Sequence, residues 1–170
     1  MPTGLKQTSS VVAIGFSVDE AAPNTFAQSS VDLNLSPLDR EVFVVLAVNL
    51  DPFTPDAIAG TDTAVTGSLS TTSLTAVGGL DNTNVLARKE LAIRAAGMVD
   101  AGVGFESGSL ESPPTQLAFL GVIATNDFFV QIDSTNTGIV RSLTGKLYGY
   151  RAKADAATYA ALVQSEVLSA

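Results

Sequence analysis

The sequence predicts an all-β fold, an antiparallel β-sandwich or jelly roll with a short C-terminal α-helix. Three observations carry this expectation. Apolar residues recur with a period of two in several short segments, as they do in strands with one buried face. Gly, Pro, Asn and Asp clusters punctuate those segments. No strand–helix alternation appears, which removes the parallel α/β classes. One domain is expected in the 170 residues, with residues 1–152 as the sandwich and 153–170 as the helix.

The elements follow in order. Val12, Ile14, Phe16 and Val18 alternate with Ala13, Gly15 and Ser17 and form a first strand. Asp19 to Thr25 is turn-rich. Val31, Leu33 and Leu35 then alternate with Asp32 and Asn34 in a second strand, and Ser36–Arg40 makes a turn. Val42–Leu50 is apolar on both faces, so it belongs in the middle of a sheet with material on each side. Asp51-Pro52-Phe53-Thr54-Pro55-Asp56 reads as a loop that ends it.

Ala57–Asn84 is almost entirely small and polar. Thr63, Val65, Gly67, Leu69 and Thr71 keep a weak period of two, which suggests marginal strands among long loops. Val85–Val99 mixes good helix formers with alternating charge and apolarity, and the alternation favours a strand. Leu117–Ala124 and Phe128–Ile132 read as strands joined at Thr125-Asn126-Asp127. Asp133–Gly138 reads as a hairpin loop in which Gly138 supplies the positive φ. Ile139–Ala152 is a further long strand. Its basic run, Arg141 to Lys153, reads as a solvated strand edge whose charges discourage edge pairing.

Asp155 fits a helix N-cap, because its carboxylate can accept from free first-turn amides. Tyr159, Leu162, Val163 and Val167 follow at three- and four-residue spacing and mark one apolar stripe. That stripe is a candidate subunit interface, or else the face that packs on the chain's own sandwich.

Composition narrows the chemistry. Histidine and cysteine are both absent, which excludes Ser-His-Asp and Cys-His catalysis, histidine metal ligation and zinc–thiolate sites. Gly138 and Gly145-Lys146 lack the spacing of a phosphate loop, and Leu147 stands where its hydroxyl belongs. Gly102, Gly104 and Gly108 likewise miss the dinucleotide fingerprint. Asp51, Asp56, Asp62, Asp81, Asn82 and Asn84 offer the oxygen ligands calcium prefers, but without the EF-hand pattern they read as turn formers. Two carboxylates held about 5–10 Å apart could hydrolyse glycosides; the absence of Trp and scarcity of Tyr argue against a sugar cleft. No catalytic residue, cofactor or metal is therefore expected.

The net charge of −8 disfavours direct nucleic-acid binding, which needs clustered cations. No uninterrupted apolar window is long enough to cross a bilayer as a helix. Met1–Gln7 lacks the charged and apolar regions of a signal peptide.

From about Val11 to Ala152 the sequence resembles small single jelly-roll virion proteins. The resemblance is carried by Val42–Leu50, by the Ser/Thr/Gly/Ala-rich region Ala57–Asn84, and by Phe128–Ile132 with Gly145–Arg151. It implies a capsid subunit or an accessory protein on a capsid surface, located in the virion. The partners it implies are copies of the same chain, with other capsid proteins as further candidates. A carbohydrate- or surface-binding β-sandwich of adhesin or fibre type is the alternative, favoured by an apolar cleft with Tyr148 or Tyr150 exposed.

Overall fold

The computed structural model describes residues 3–109 and 112–170. Its strands are β1 (Leu5–Gln7), β2 (Val12–Asp19), β3 (Ala27–Asp32), β4 (Glu41–Pro52), β5 (Thr63–Ser70), β6 (Val85–Arg94), β7 (Val103–Gly108), β8 (Gly121–Ile123), β9 (Asp127–Thr135) and β10 (Ser142–Ala154). A helix, α1 (Ala156–Leu168), follows. One sheet runs β1-β10-β4-β8, with β2 also paired along β10; the other runs β3-β9-β5-β6-β7. Every pairing is antiparallel. The chain crosses between sheets at β2–β3, β3–β4, β4–β5, β7–β8, β8–β9 and β9–β10. The order β2-β10-β4-β8 facing β3-β9-β5-β6 is that of a double-sheet jelly roll. β1 and β7 are additions to its margins.

The two-sided apolarity of β4 has a local cause. Register shifts where Tyr148 pairs Ala47 and Gly149 pairs Val45, so Leu46 is an extra, bulged residue. The bulge reverses which residues face inward. Phe43 and Val45 before it, and Val48 and Leu50 after it, all enter the core between the sheets. Val42 and Val44 face the other way, into a second apolar cluster on the outside of the sheet.

β10 presents Leu143, Gly145, Leu147 and Gly149 inward in alternation. A methyl group on Gly145 would lie 2.6 Å from the Phe16 ring and collide with the Asn49 carbonyl; one on Gly149 would collide with the Phe43 ring and the Val44 carbonyl. The two rings thus occupy the space that side chains at these positions would fill. Across the core, Gly67 of β5 takes Leu143 in the same way, with 2.6 Å to its Cδ2. Phe16 then meets Phe128 edge-on at 5.8 Å. β5 is therefore no marginal strand: Val65 and Leu69 are fully buried, and the small Gly67 that weakens its pattern is a socket.

The outer faces are covered differently. On the first sheet α1 lies over an apolar cluster that includes Leu5, Val42, Val44, Tyr150 and Ala152. On the second, residues 71–84 fold over a polar lattice. Gln131, fully buried, donates to Ser70 Oγ (2.7 Å) and Gln28 Oε1 (3.0 Å) and accepts from Ser68 Oγ (2.7 Å). The Gly78 amide donates to Ser68 Oγ, so the buried polar atoms are matched as buried groups must be.

Several expectations shift. The strand expected at Val31–Leu35 lies earlier, at Ala27–Asp32, with Leu33 and Leu35 buried in irregular chain. β4 runs on through Asp51 and Pro52. Residues 85–94 are a strand, and of Leu117–Ala124 only Gly121–Ile123 is. The positive φ of the β9–β10 turn belongs to Asn136 (56°), not Gly138, since asparagine tolerates that region best after glycine. β10 is central, paired on both sides, so its basic run is no sheet edge.

Replacing Gly145 with Val should lower stability by about 1–3 kcal/mol through overpacking. Gly15→Val, where the new side chain meets open space, should change it by no more than about 0.5 kcal/mol. Urea midpoints of the two variants check this, and equal effects would contradict the socket account.

Candidate functional site

With no cofactor chemistry in the sequence, the candidate functional regions are surfaces: the face under α1, the two loop ends, and the margin at β7. The helix begins as expected, with Asp155 accepting from the Thr158 amide at 2.7 Å. That bond holds the Asp155 carboxyl below its usual range. Of the stripe, Tyr159, Leu162 and Val163 pack half-buried on the outer cluster of their own sheet. Val167 is 59% exposed, with Leu168 beside it at 75%. The chain's own fold thus uses three of the four residues and leaves Val167 outward.

What fixes the far end of α1 is a residue that the sequence pattern does not single out. Glu166 is 6% exposed. Its Oε2 accepts from the backbone amides of Ala124 (3.0 Å) and Thr125 (2.9 Å), and its carbonyl accepts from Asn84 Nδ2 at 3.1 Å. The helix is thereby tied to the chain after β8 and to the loop before β6. Thr71 faces the same carboxyl, yet neither its hydroxyl nor Oε1 completes a hydrogen bond. Burial pushes the Glu166 carboxyl above its ordinary 4.5, against the two amides that hold it down. A lone Glu at a helix end carries no sequence signal for this; only the fold brings those amides to it.

The opposite end of the sandwich is cross-tied by four connections: residues 20–26, 53–62, 95–102 and 136–141. Asn24 Nδ2 donates to the Thr137 carbonyl and Asn24 Oδ1 accepts from the Thr137 amide (3.1 and 2.8 Å). Asp56 accepts from the Gly138 amide at 3.0 Å and pairs with the buried Arg141 guanidinium; Arg141 and that amide hold its carboxyl low. Asp62 accepts from the amides of Ala95 (2.8 Å) and Ala96 (2.9 Å), which depress its carboxyl in turn. Asn136 Nδ2 donates to the Asp62 carbonyl. Below them, buried Glu20 accepts from Ser134 Oγ (2.6 Å) and the Arg141 amide (2.9 Å). Asp133 is raised by burial, with the Glu20 charge adding to it.

The loop oxygens considered for calcium are thus largely committed. Asp56 and Asp62 stitch loops together, Asn82 caps the Asn84 amide (2.9 Å), and Asn84 reaches Thr72 and α1. Asp51 lies on β4 and Asp81 in the turn after β5. Among the described residues no group of three or more His, Cys, Asp or Glu could hold a metal. Open grooves flank β7, one lined by Val77, Leu80, Arg88 and Ser107, another by Pro55, Leu91, Ile93 and Phe105. No described helix is long and apolar enough to cross a membrane.

The class this geometry defines is the double-sheet jelly roll, and the solved structures it is similar to include viral capsid proteins. The VP1 pentamer protein of Merkel cell polyomavirus aligns over 88% of this chain and 99% of its own, with 6% identity and a TM-score of 0.45. A chain from Desmodium yellow mottle tymovirus aligns over 92% and 95%, with 15% identity and a TM-score of 0.27. One from empty heads of turnip yellow mosaic virus aligns over 88% and 85%, with 10% identity and a TM-score of 0.31. The likeness is one of strand architecture and transfers no residue roles. No protein-family model matches the chain, and no curated protein does.

The Glu166 tie gives a pH dependence. A carboxyl with a raised folded pKa keeps its proton to higher pH in the folded chain than in the unfolded one. Its contribution is complete below the ordinary 4.5 and is lost as pH rises through the folded value. Glu166→Gln offers an acceptor to Ala124 and Thr125 and a donor towards Thr71, without charge. Denaturant midpoints measured from about pH 4 upward should fall with pH less steeply for this variant. Asp133 leaves a residual slope of the same sign, and the depressed Asp56, Asp62 and Asp155 act in the opposite sense at the acid end in both proteins. Glu166→Ala should cost about 1–3 kcal/mol by stranding the buried Ala124 amide and the part-buried Thr125 amide. Parallel pH slopes in wild type and Glu166→Gln would contradict the assignment.

Proposed function

We propose that this chain is a virion structural protein, a capsid subunit that assembles with its own copies into a protein shell. The observation that carries the proposal is the way both ends and both outer faces of the jelly roll are locked by internal ties. Loop ends cross-linked through Asp56, Asp62, Asn24 and Asn136, and a helix pinned by Glu166, present fixed relief to a neighbour. A repeating contact needs such rigidity, because every ordered side chain costs entropy on association.

Jelly rolls also carry lectin and cupin functions, so the fold alone does not choose among them. Two observations favour a shell. Tyr150, which a sugar cleft would expose, is buried beneath α1, and Tyr148 is half-buried. At least six of the nine cations are engaged in ion pairs within the chain: Arg88, Lys89, Arg94, Arg141, Arg151 and Lys153. Little positive field remains for phosphate backbones, which suits a shell that leaves genome contact to another component. Val167 and Leu168, outward at the end of α1, are the part of the stripe offered to a neighbour.

Mass photometry and negative-stain electron microscopy of the purified chain test this reading. Closed shells or regular rings of uniform size are expected. A strictly monomeric protein that binds on a glycan array would overturn it in favour of the carbohydrate-binding alternative.

A further inference from the structure

β7 differs from every other described strand: all six of its residues are exposed. It pairs with β6 on one side, in unbroken register from Lys89–Gly108 to Arg94–Val103. On its other side no described strand pairs with it. Exposed edges are ordinarily blunted by a Lys, a Pro or a bulge, and β7 (Val-Gly-Phe-Glu-Ser-Gly) has none of these. Val103 and Phe105 stand on one face, 48% and 57% exposed. An edge of this kind can be completed only by another extended backbone that matches its amide and carbonyl groups.

We propose that β7 pairs antiparallel with β7 of a second copy across a two-fold axis, joining the outer sheets of two subunits into one. The inference rests on the self-assembly reading above and names one of its contacts. Charge points to a second copy as occupant. The chain carries −8 overall, which opposes self-association, but the β6–β7 corner does not share the excess: Arg88, Lys89 and Arg94 are balanced there by Glu90, Glu106 and Asp62, each in an ion pair. Glu106, the strand's one charge, is held by Lys89 at 2.8 Å. Two like subunits can therefore meet at this corner with little repulsion.

Symmetry then fixes the register. A two-fold perpendicular to the sheet keeps each face continuous, so residues of the same parity must oppose each other, and one residue pairs with itself on the axis. The longest overlaps of the strand are centred on Phe105 or on Glu106. Centring on Glu106 sets two carboxylates directly opposite, which is destabilising. Centring on Phe105 opposes the two aromatic rings, a favourable cross-strand pair, and places Val103 against Ser107 on either side.

Because the chain has no cysteine, single-cysteine variants read this register directly. Directly opposed Cβ atoms lie about 4.5–5.5 Å apart, close to disulfide reach. On mild oxidation of assembled protein, Phe105→Cys should give a covalent dimer on non-reducing gels. Ser107→Cys alone should give several-fold less, and a mixture of Val103→Cys and Ser107→Cys proteins should give a mixed dimer. Phe105→Lys, a charge on the axis, should reduce assembly in mass photometry while leaving the circular dichroism spectrum and thermal midpoint of the subunit unchanged. Assembled particles in which Phe105→Cys does not cross-link, or Ser107→Cys cross-links as readily, would overturn the β7 contact and leave the shell reading intact. A chain that neither assembles nor cross-links at any concentration would overturn both.

Discussion

The structure depends on three glycines that face the core. At Gly145 and Gly149 of β10 and Gly67 of β5, the missing side chains make sockets for Phe16, Phe43 and Leu143. Phe16 and Phe43 come from β2 and β4, the strands paired on either side of β10, and Leu143 reaches across the core to β5. Interiors are packed at crystal-like density, and a chain with 6% aromatic residues reaches that density by pairing each large residue with an absence. The bulge at Leu46 is part of the same solution. It lets β4 point Phe43 at Gly149 and, further along, send Val48 and Leu50 into the same core.

The sockets also explain which elements are legible in the sequence and which are not. Strands with bulky alternation, such as Val12–Val18 and Phe128–Ile132, announce themselves because their inward residues are large. β5 looks marginal because its socket, Gly67, dilutes the pattern that marks a buried strand. β1 and β7 are short or uncovered strands whose existence comes from pairing with β10 and β6, a tertiary fact. The basic run of β10 misleads for a related reason. Arg141 and Arg151 lie on or beside a central strand, and their charges are answered by Asp56 and Glu41 from elsewhere in the chain. The candidate site is half legible: the α1 stripe and its Asp155 cap can be read from spacing, whereas Glu166 cannot.

The two outer faces divide the labour of the molecule. Apolar packing, an N-cap and one buried carboxyl fix α1 on the first sheet. On the second, a satisfied lattice of Gln28, Gln131, Ser68 and Ser70 carries residues 71–84. Loops that would be free in many sandwiches are here tied to one another by side-chain hydrogen bonds at both ends. Function by contact requires no more than this. Without His or Cys, the chain also lacks the side chains that most often serve as general base and activated nucleophile.

The central claim is that a self-sufficient rigid sandwich acts through its margins. Hydrogen–deuterium exchange on assembled and dissociated protein tests it most directly. The amides of β4 and β10 should be protected equally in both states, with protection gained on assembly confined to margins such as β7 and the end of α1. Loss of protection in β4 or β10 on dissociation would contradict the claim, because the fold would then depend on assembly.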